Sequence, residues 1–174
     1  YQKIADELGI IRHSQSGAPL AYARHPLVYL VEAADDICYE IMDIEDSHKL
    51  KILSFEQTKD LLLGFFDESV KNSIEKRIKD EGITDDNEKV IYMRACVIGK
   101  LENVCARAFI DHEKEILDGT FKGCLIDHIP EPQREAYKRC TEVSFNRIYK
   151  SKPVLDVELS GFKIMETLME IMTE

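Results

Sequence analysis

An all-α fold is predicted by three features of this sequence. Apolar residues recur at three- and four-residue spacing through segment after segment. Proline and glycine stand mostly at the edges of those segments. No stretch alternates with period two for long enough to make a sheet; Lys51–Phe55 is the best strand candidate and is too short. With 174 residues, 44% hydrophobic and 32% charged, the chain can bury a core of its own. A single helical domain spanning 1–174, with about six or seven helices, is the expectation.

Taken in order, Gln2–Leu8 reads as a short helix stopped by Gly9. Ile10–His25, with Ser14, Ser16, Gly17 and Pro19, reads as a loop long enough to pack on something or carry function. Arg24–Asp46 is the organising helix. Pro26 is suited to its first turn, where a missing N–H has no helical partner to lose. Leu27, Leu30, Val31, Ala34, Cys38, Ile41 and Met42 are expected to form its buried face. Ser54 and Gln57 make a capping-box pattern ahead of an apolar helix, Phe55–Phe66. Glu68–Asp80 is a more polar helix ending near Gly82. Asp85 with Glu88 starts the longest helix, Asn87–Leu117, whose core stripe is Val90, Met93, Val97, Leu101, Val104, Ala108 and Phe109. The loop Thr120–Pro130 leads to a helix over Pro132–Tyr149, and Pro153 opens a last helix reaching Met172.

Composition narrows the function. The net charge of −10 argues against a nucleic-acid surface, which needs a basic patch. A nucleotide remains possible as a substrate, since a metal and a few cations neutralise a triphosphate. No apolar run approaches the length that spans a bilayer, so no membrane partner is expected. The opening YQKIADELG shows no basic-then-apolar leader. The five cysteines, Cys38, Cys96, Cys105, Cys124 and Cys140, form no C-x-x-C pair and read as reduced, mostly buried small hydrophobes. A cytoplasmic location follows as the expectation.

The organising helix carries an unusual acidic line. At roughly 100° per residue, Asp35, Tyr39 and Asp43 follow one another along the border of the apolar face, with Glu32 and Asp46 in the same sector. Like charges three or four residues apart repel by roughly 0.2–0.5 kcal/mol per pair. Glu32/Asp35, Glu32/Asp36, Asp36/Glu40, Glu40/Asp43 and Asp43/Asp46 are all such pairs. A solvated face in an acidic protein is the bland explanation. A cation or a ligand rich in donors is the functional one.

The string HPLVYLVEAADDICY resembles a segment of the deoxyguanosine triphosphate triphosphohydrolases, a family of HD-domain phosphohydrolases. The resemblance is weaker but continuous through the later helices. It implies an HD-domain-like helical bundle, of which this chain is the C-terminal portion. It implies that Asp35 is the last of four ligands to a divalent ion (Mg, Mn, Fe, Co or Zn), that Tyr39 packs on the deoxyribose, and that Asp43 accepts from the sugar 3′-hydroxyl. The segment IYKSKPVLDVELSGF resembles the part that helps form the base pocket, with Tyr149 stacking on the base and Glu158 accepting from a guanine edge. The substrate implied is a deoxynucleoside triphosphate, cleaved to deoxynucleoside and tripolyphosphate, and a homo-oligomer is expected.

The family takes its other ligands from one His and an adjacent His-Asp pair upstream of the final Asp. This chain has no His-Asp dipeptide, and only His13 and His25 precede Asp35. The expectation is that the chain is part of a longer enzyme, inactive and metal-free alone; a degenerate homologue is the alternative. Two other functions compete. Glu32-x-x-Asp35 and Asp43-x-x-Asp46 mimic the paired motifs of all-α Mg-dependent nucleotide pyrophosphatases. A non-catalytic helical interaction module is the third. Arg94, Arg107 and Arg147 are candidate phosphate contacts, against the plainer role of covering helix surfaces.

Overall fold

The computed structural model describes residues 2–13 and 19–173, and among them the fold is all-α. The helices are α1 (Gln2–Glu7), α2 (Pro26–Lys49), α3 (Phe55–Leu63), α4 (Glu68–Asp80), α5 (Asp86–Asp111), α6 (Glu113–Leu117), α7 (Glu131–Val143) and α8 (Lys152–Thr173). A 3₁₀ turn, Leu125–His128, precedes α7, and a π-helical turn, Ser144–Ile148, follows it. The loop residues Ser14, Ser16 and Gly17 lie outside the described residues. Around them the chain pairs back on itself, with a bridge between Arg12 and Tyr22.

Local chemistry sets the boundaries. His25 caps α2, its Nδ1 accepting from the Leu27 N–H, and Pro26 occupies the first turn. The Ser54–Gln57 capping box forms in both directions. Asp67 and Asp85 cap α4 and α5 through their carboxylates. Gly119 turns the chain at φ +74°, and a Cβ there would sit 2.8 Å from that of Ala23. Only glycine meets both demands.

The core is built on α2 against α5, with α3, the 3₁₀ turn and α7 packed around that pair. Ile37, Ile41 and Ile44 from α2 meet Leu62, Phe65, Val90, Met93, Val97 and Leu101, all essentially without solvent exposure. Each such side chain contributes roughly 1.5–3 kcal/mol by burial. The expected stripe of α5 is buried as far as Ala108, with Phe109 half-buried.

Three expectations need correction. The buried face of α2 is Tyr29, Ala33, Ile37, Ile41 and Ile44, together with the polar Glu40, Glu45 and Ser47. Of the face expected from periodicity only Ile41 is buried; Leu27, Leu30, Val31, Ala34, Cys38 and Met42 are exposed. The helix is apolar around most of its circumference, and α5 covers the arc that carries the isoleucines. Cys38 is accordingly exposed, while Cys105 and Cys140 are buried; all five thiols are free. The long helix also breaks near His112, where α5 ends and α6 begins.

Candidate functional site

Where α2 meets α7 and the 3₁₀ turn, a cavity of about 800 Å³ opens. This lies in the range of pockets that enclose small ligands. From α2 it receives Asp35, Asp36, Tyr39 and Glu40; from the C-terminal elements, Tyr137, Thr141 and Tyr149. Helical spacing puts the first set on one wall. The second set sits there because α7 buries Gln133, Ala136 and Cys140, turning its neighbouring face to the cavity. Tyr137 ties the walls together, its hydroxyl donating to the Asp36 carbonyl at 3.0 Å.

Two carboxylates of the acidic line are satisfied by the π turn and the residue that follows it. The Tyr149 hydroxyl donates to Asp43 Oδ2 at 2.7 Å. The Ser144 hydroxyl donates to Glu40 Oε1 at 2.6 Å, with Ser144 and Glu40 both buried. Burial raises the carboxyls of Glu40 and Asp43 above their ordinary range, and the donated hydrogen bonds oppose that rise. Burial also raises the Asp36 carboxyl, reinforced by the charges of Asp35 and Asp127. The Tyr149 phenol is pushed up by burial and by its bond to Asp43, so it remains a donor throughout the neutral range.

Asp35 is exposed at the cavity wall and makes no hydrogen bond or ion pair among the described residues. Tyr39 is 63% exposed, leaving its ring free to receive a flat or puckered ligand. The structure therefore gathers Asp35, Tyr39, Asp43 and Tyr149 into one neighbourhood. Glu158 is not among the residues lining that cavity; it lies exposed on α8, a helix with no buried residue. Glu32-x-x-Asp35 and Asp43-x-x-Asp46 both remain on α2 rather than facing each other from two helices.

The arginines divide differently from expectation. Arg94 belongs to the fold: its Nη1 lies 2.5 Å from Glu45 Oε2, a carboxylate only 4% exposed. Arg147 leans on the Ile52 carbonyl at 3.4 Å. The cavity's own cations are Arg134 and Lys138, which sequence reasoning missed. With Tyr137 and Thr141 they fall at i, i+3, i+4 and i+7 on α7, a spacing that was visible but reads as a solvated face.

Among the described residues no group of three or more His, Cys, Asp or Glu could hold a metal ion. The donor set of this chain alone does not fit one; Asp35 could provide a single ligand to a set completed elsewhere. No helix among the described residues is long and apolar enough to cross a membrane.

By fold and site, this is a helical unit built around a cavity of carboxylates and tyrosines. No family model matches the chain. A deoxyguanosinetriphosphate triphosphohydrolase-like protein of Pseudomonas aeruginosa is 33% identical over 149 residues, covering 85% of this chain and 33% of that protein. One of the same name from Synechocystis is 30% identical over 170 residues, 97% of this chain and 36% of its own. The deoxyguanosinetriphosphate triphosphohydrolase of Salmonella typhimurium is 30% identical over 162 residues, 86% of this chain and 32% of its own. The chain belongs to the deoxyguanosinetriphosphate triphosphohydrolase family, and it spans about a third of the length of the curated relatives it matches.

Proposed function

We propose that this chain forms the deoxynucleoside-recognising part of a triphosphohydrolase acting on deoxyguanosine triphosphate. The full-length protein adds water across the bond between the 5′-oxygen and the triphosphate, releasing deoxyguanosine and tripolyphosphate. The observation that carries the reading is the α2 line: Asp35 and Tyr39 line one cavity, and Asp43, one turn on, is held by Tyr149, which lines it too. In this assignment Tyr39 packs on the deoxyribose, and Asp43 accepts from its 3′-hydroxyl. Asp35 contributes one carboxylate to a divalent ion in the complete protein. The names of the relatives support the substrate class.

A buried group that pairs a substrate hydroxyl discriminates against the analogue lacking it, because it is otherwise left unpaired at about 1–3 kcal/mol. The test is steady-state kinetics of the full-length protein on deoxyguanosine triphosphate and its 2′,3′-dideoxy analogue, with product analysis. Tripolyphosphate should be the product, and Asp43→Ala should erase most of the preference for the 3′-hydroxyl. Release of pyrophosphate and a monophosphate would instead mean a pyrophosphatase. No hydrolysis at all would leave an interaction module.

A further inference from the structure

The link between α2 and the end of α7 has a geometry that an unbroken α-helix would not give. Five α-helical steps would carry Tyr149 roughly 140° round from Ser144. Instead the Tyr149 N–H donates to the Ser144 carbonyl at 3.0 Å, the wider bonding of a π turn. The extra residue in the turn brings Tyr149 back over the face that carries Ser144. Both side chains then reach α2, where Glu40 and Asp43 stand one turn apart. Helical serines and threonines commonly bond back to the carbonyl four residues earlier. Thr141 does so, to Tyr137, while also standing against Glu40; the Ser144 hydroxyl is drawn to Glu40 at 2.6 Å.

A buried carboxylate is expensive where an apolar side chain would pack. Its placement at the root of the π turn is what the Tyr149–Asp43 contact requires. Tyr149 occupies Oδ2 of Asp43, leaving Oδ1 without a partner among the described residues. We propose that Glu40 and Ser144 are positioning residues for sugar recognition. Their buried hydrogen bond holds the π turn, the π turn sets Tyr149 on Asp43, and Asp43 is thereby oriented with one oxygen free for the 3′-hydroxyl. The inference rests on the assignment of Asp43 to that hydroxyl, and the experiment separates the two.

The full-length protein carrying Tyr149→Phe, Ser144→Ala, both together, Glu40→Ala or Glu40→Gln is assayed on deoxyguanosine triphosphate and its 2′,3′-dideoxy analogue. Thermal melts identify the folded variants. Tyr149→Phe and Ser144→Ala should each lower the preference in kcat/KM for the 3′-hydroxyl by about three- to tenfold. For Ser144→Ala the change should fall in KM, with kcat on the dideoxy analogue altered by less than about twofold. The double variant should lose no more than either single one, as coupled residues do. Glu40→Gln, whose amide carbonyl still accepts from Ser144, should keep the preference that Glu40→Ala loses. Where Ser144→Ala does not fold, Ser144→Cys keeps the volume with a weaker donor and takes its place. If Asp43→Ala, run alongside, keeps the preference, the assignment of Asp43 fails; if Asp43→Ala loses it and Tyr149→Phe leaves it intact, the positioning role is overturned. If Tyr149→Phe lowers it but Ser144→Ala does not, or if the two losses add, the positioning role is overturned.

Discussion

Replacing Arg94 by Met should separate a fold-stabilising arginine from a phosphate-binding one. Glu45 is buried, with Arg94 Nη1 at 2.5 Å on one oxygen and Lys49 Nζ at 2.5 Å on the other. Removing a partner from a buried ion pair costs about 3–5 kcal/mol, because the remaining charge is stranded. Two features reduce the cost here. Lys49 stays behind, and the Arg94 side chain is itself 27% exposed, with its Nε unpaired. About 1–3 kcal/mol is therefore expected for Arg94→Met, rising to about 3–5 kcal/mol when Lys49→Met is added. For a chain of this size each kcal/mol moves Tm by about 2–4 °C. Urea denaturation followed by far-ultraviolet circular dichroism measures both variants. If both lose less than about 0.5 kcal/mol, or if Arg94→Met raises KM while stability is unchanged, the structural assignment of Arg94 is wrong.

Further outcomes follow from the same structure. Asp35→Ala should lower metal content and turnover of the full-length protein together, while its melting curve stays within about 0.5 kcal/mol of the parent, because Asp35 is exposed and unpaired. The Cys105 and Cys140 thiols, pushed up to about 11 and about 12 by burial, should resist a thiol reagent at neutral pH until denaturant is added. Burial raises the Glu40 carboxyl above its ordinary value of 4.5, so the native state keeps a proton that the unfolded chain has released. The stability it contributes is complete below that value and is lost as pH climbs through the raised one; urea titrations across this range should show a shallower decline for Glu40→Gln.

Much of the fold is written locally. The capping box at Ser54–Gln57, the first-turn Pro26 and the carboxylate cap at Asp85 are decided within four residues, and each forms where the sequence predicts it. What failed depends on contacts between elements. Periodicity on α2 marks two overlapping apolar arcs, and nothing local says that the arc with Ile37 and Ile44 faces α5 while that with Val31 and Ala34 does not. The π turn is invisible for the same reason: Ser144, at its start, bonds to Glu40, more than a hundred residues earlier. Asp35, Tyr39 and Asp43 are singled out by the resemblance that HPLVYLVEAADDICY carries, since the acidic line alone reads equally as a solvated face. Glu40 was read only as one more charge in that line, although it is the one buried beneath it.

The cost of the acidic line is distributed unevenly, and that distribution separates scaffold from site. Arg24 pairs with Glu32, Arg94 and Lys49 with Glu45, and Lys49 with Asp46. Ser144 and Tyr149 donate to Glu40 and Asp43. Glu40 and Glu45 are buried and Asp43 is half-buried, where an unpaired carboxylate would weaken folding, while Glu32 and Asp46 are more exposed. Asp35 and Asp36 are left, adjacent in sequence, on the cavity wall, with no side-chain partner among the described residues. Asp35 is exposed and solvated, so it costs folding little, whereas every other acid of α2 but Asp36 has a partner within the fold. A cation shared with groups outside this chain would remove that repulsion, and it would do so next to the Tyr39 ring and within reach of a ligand held at Asp43. In the function proposed above, the pair is matched by what the cavity receives rather than by the fold.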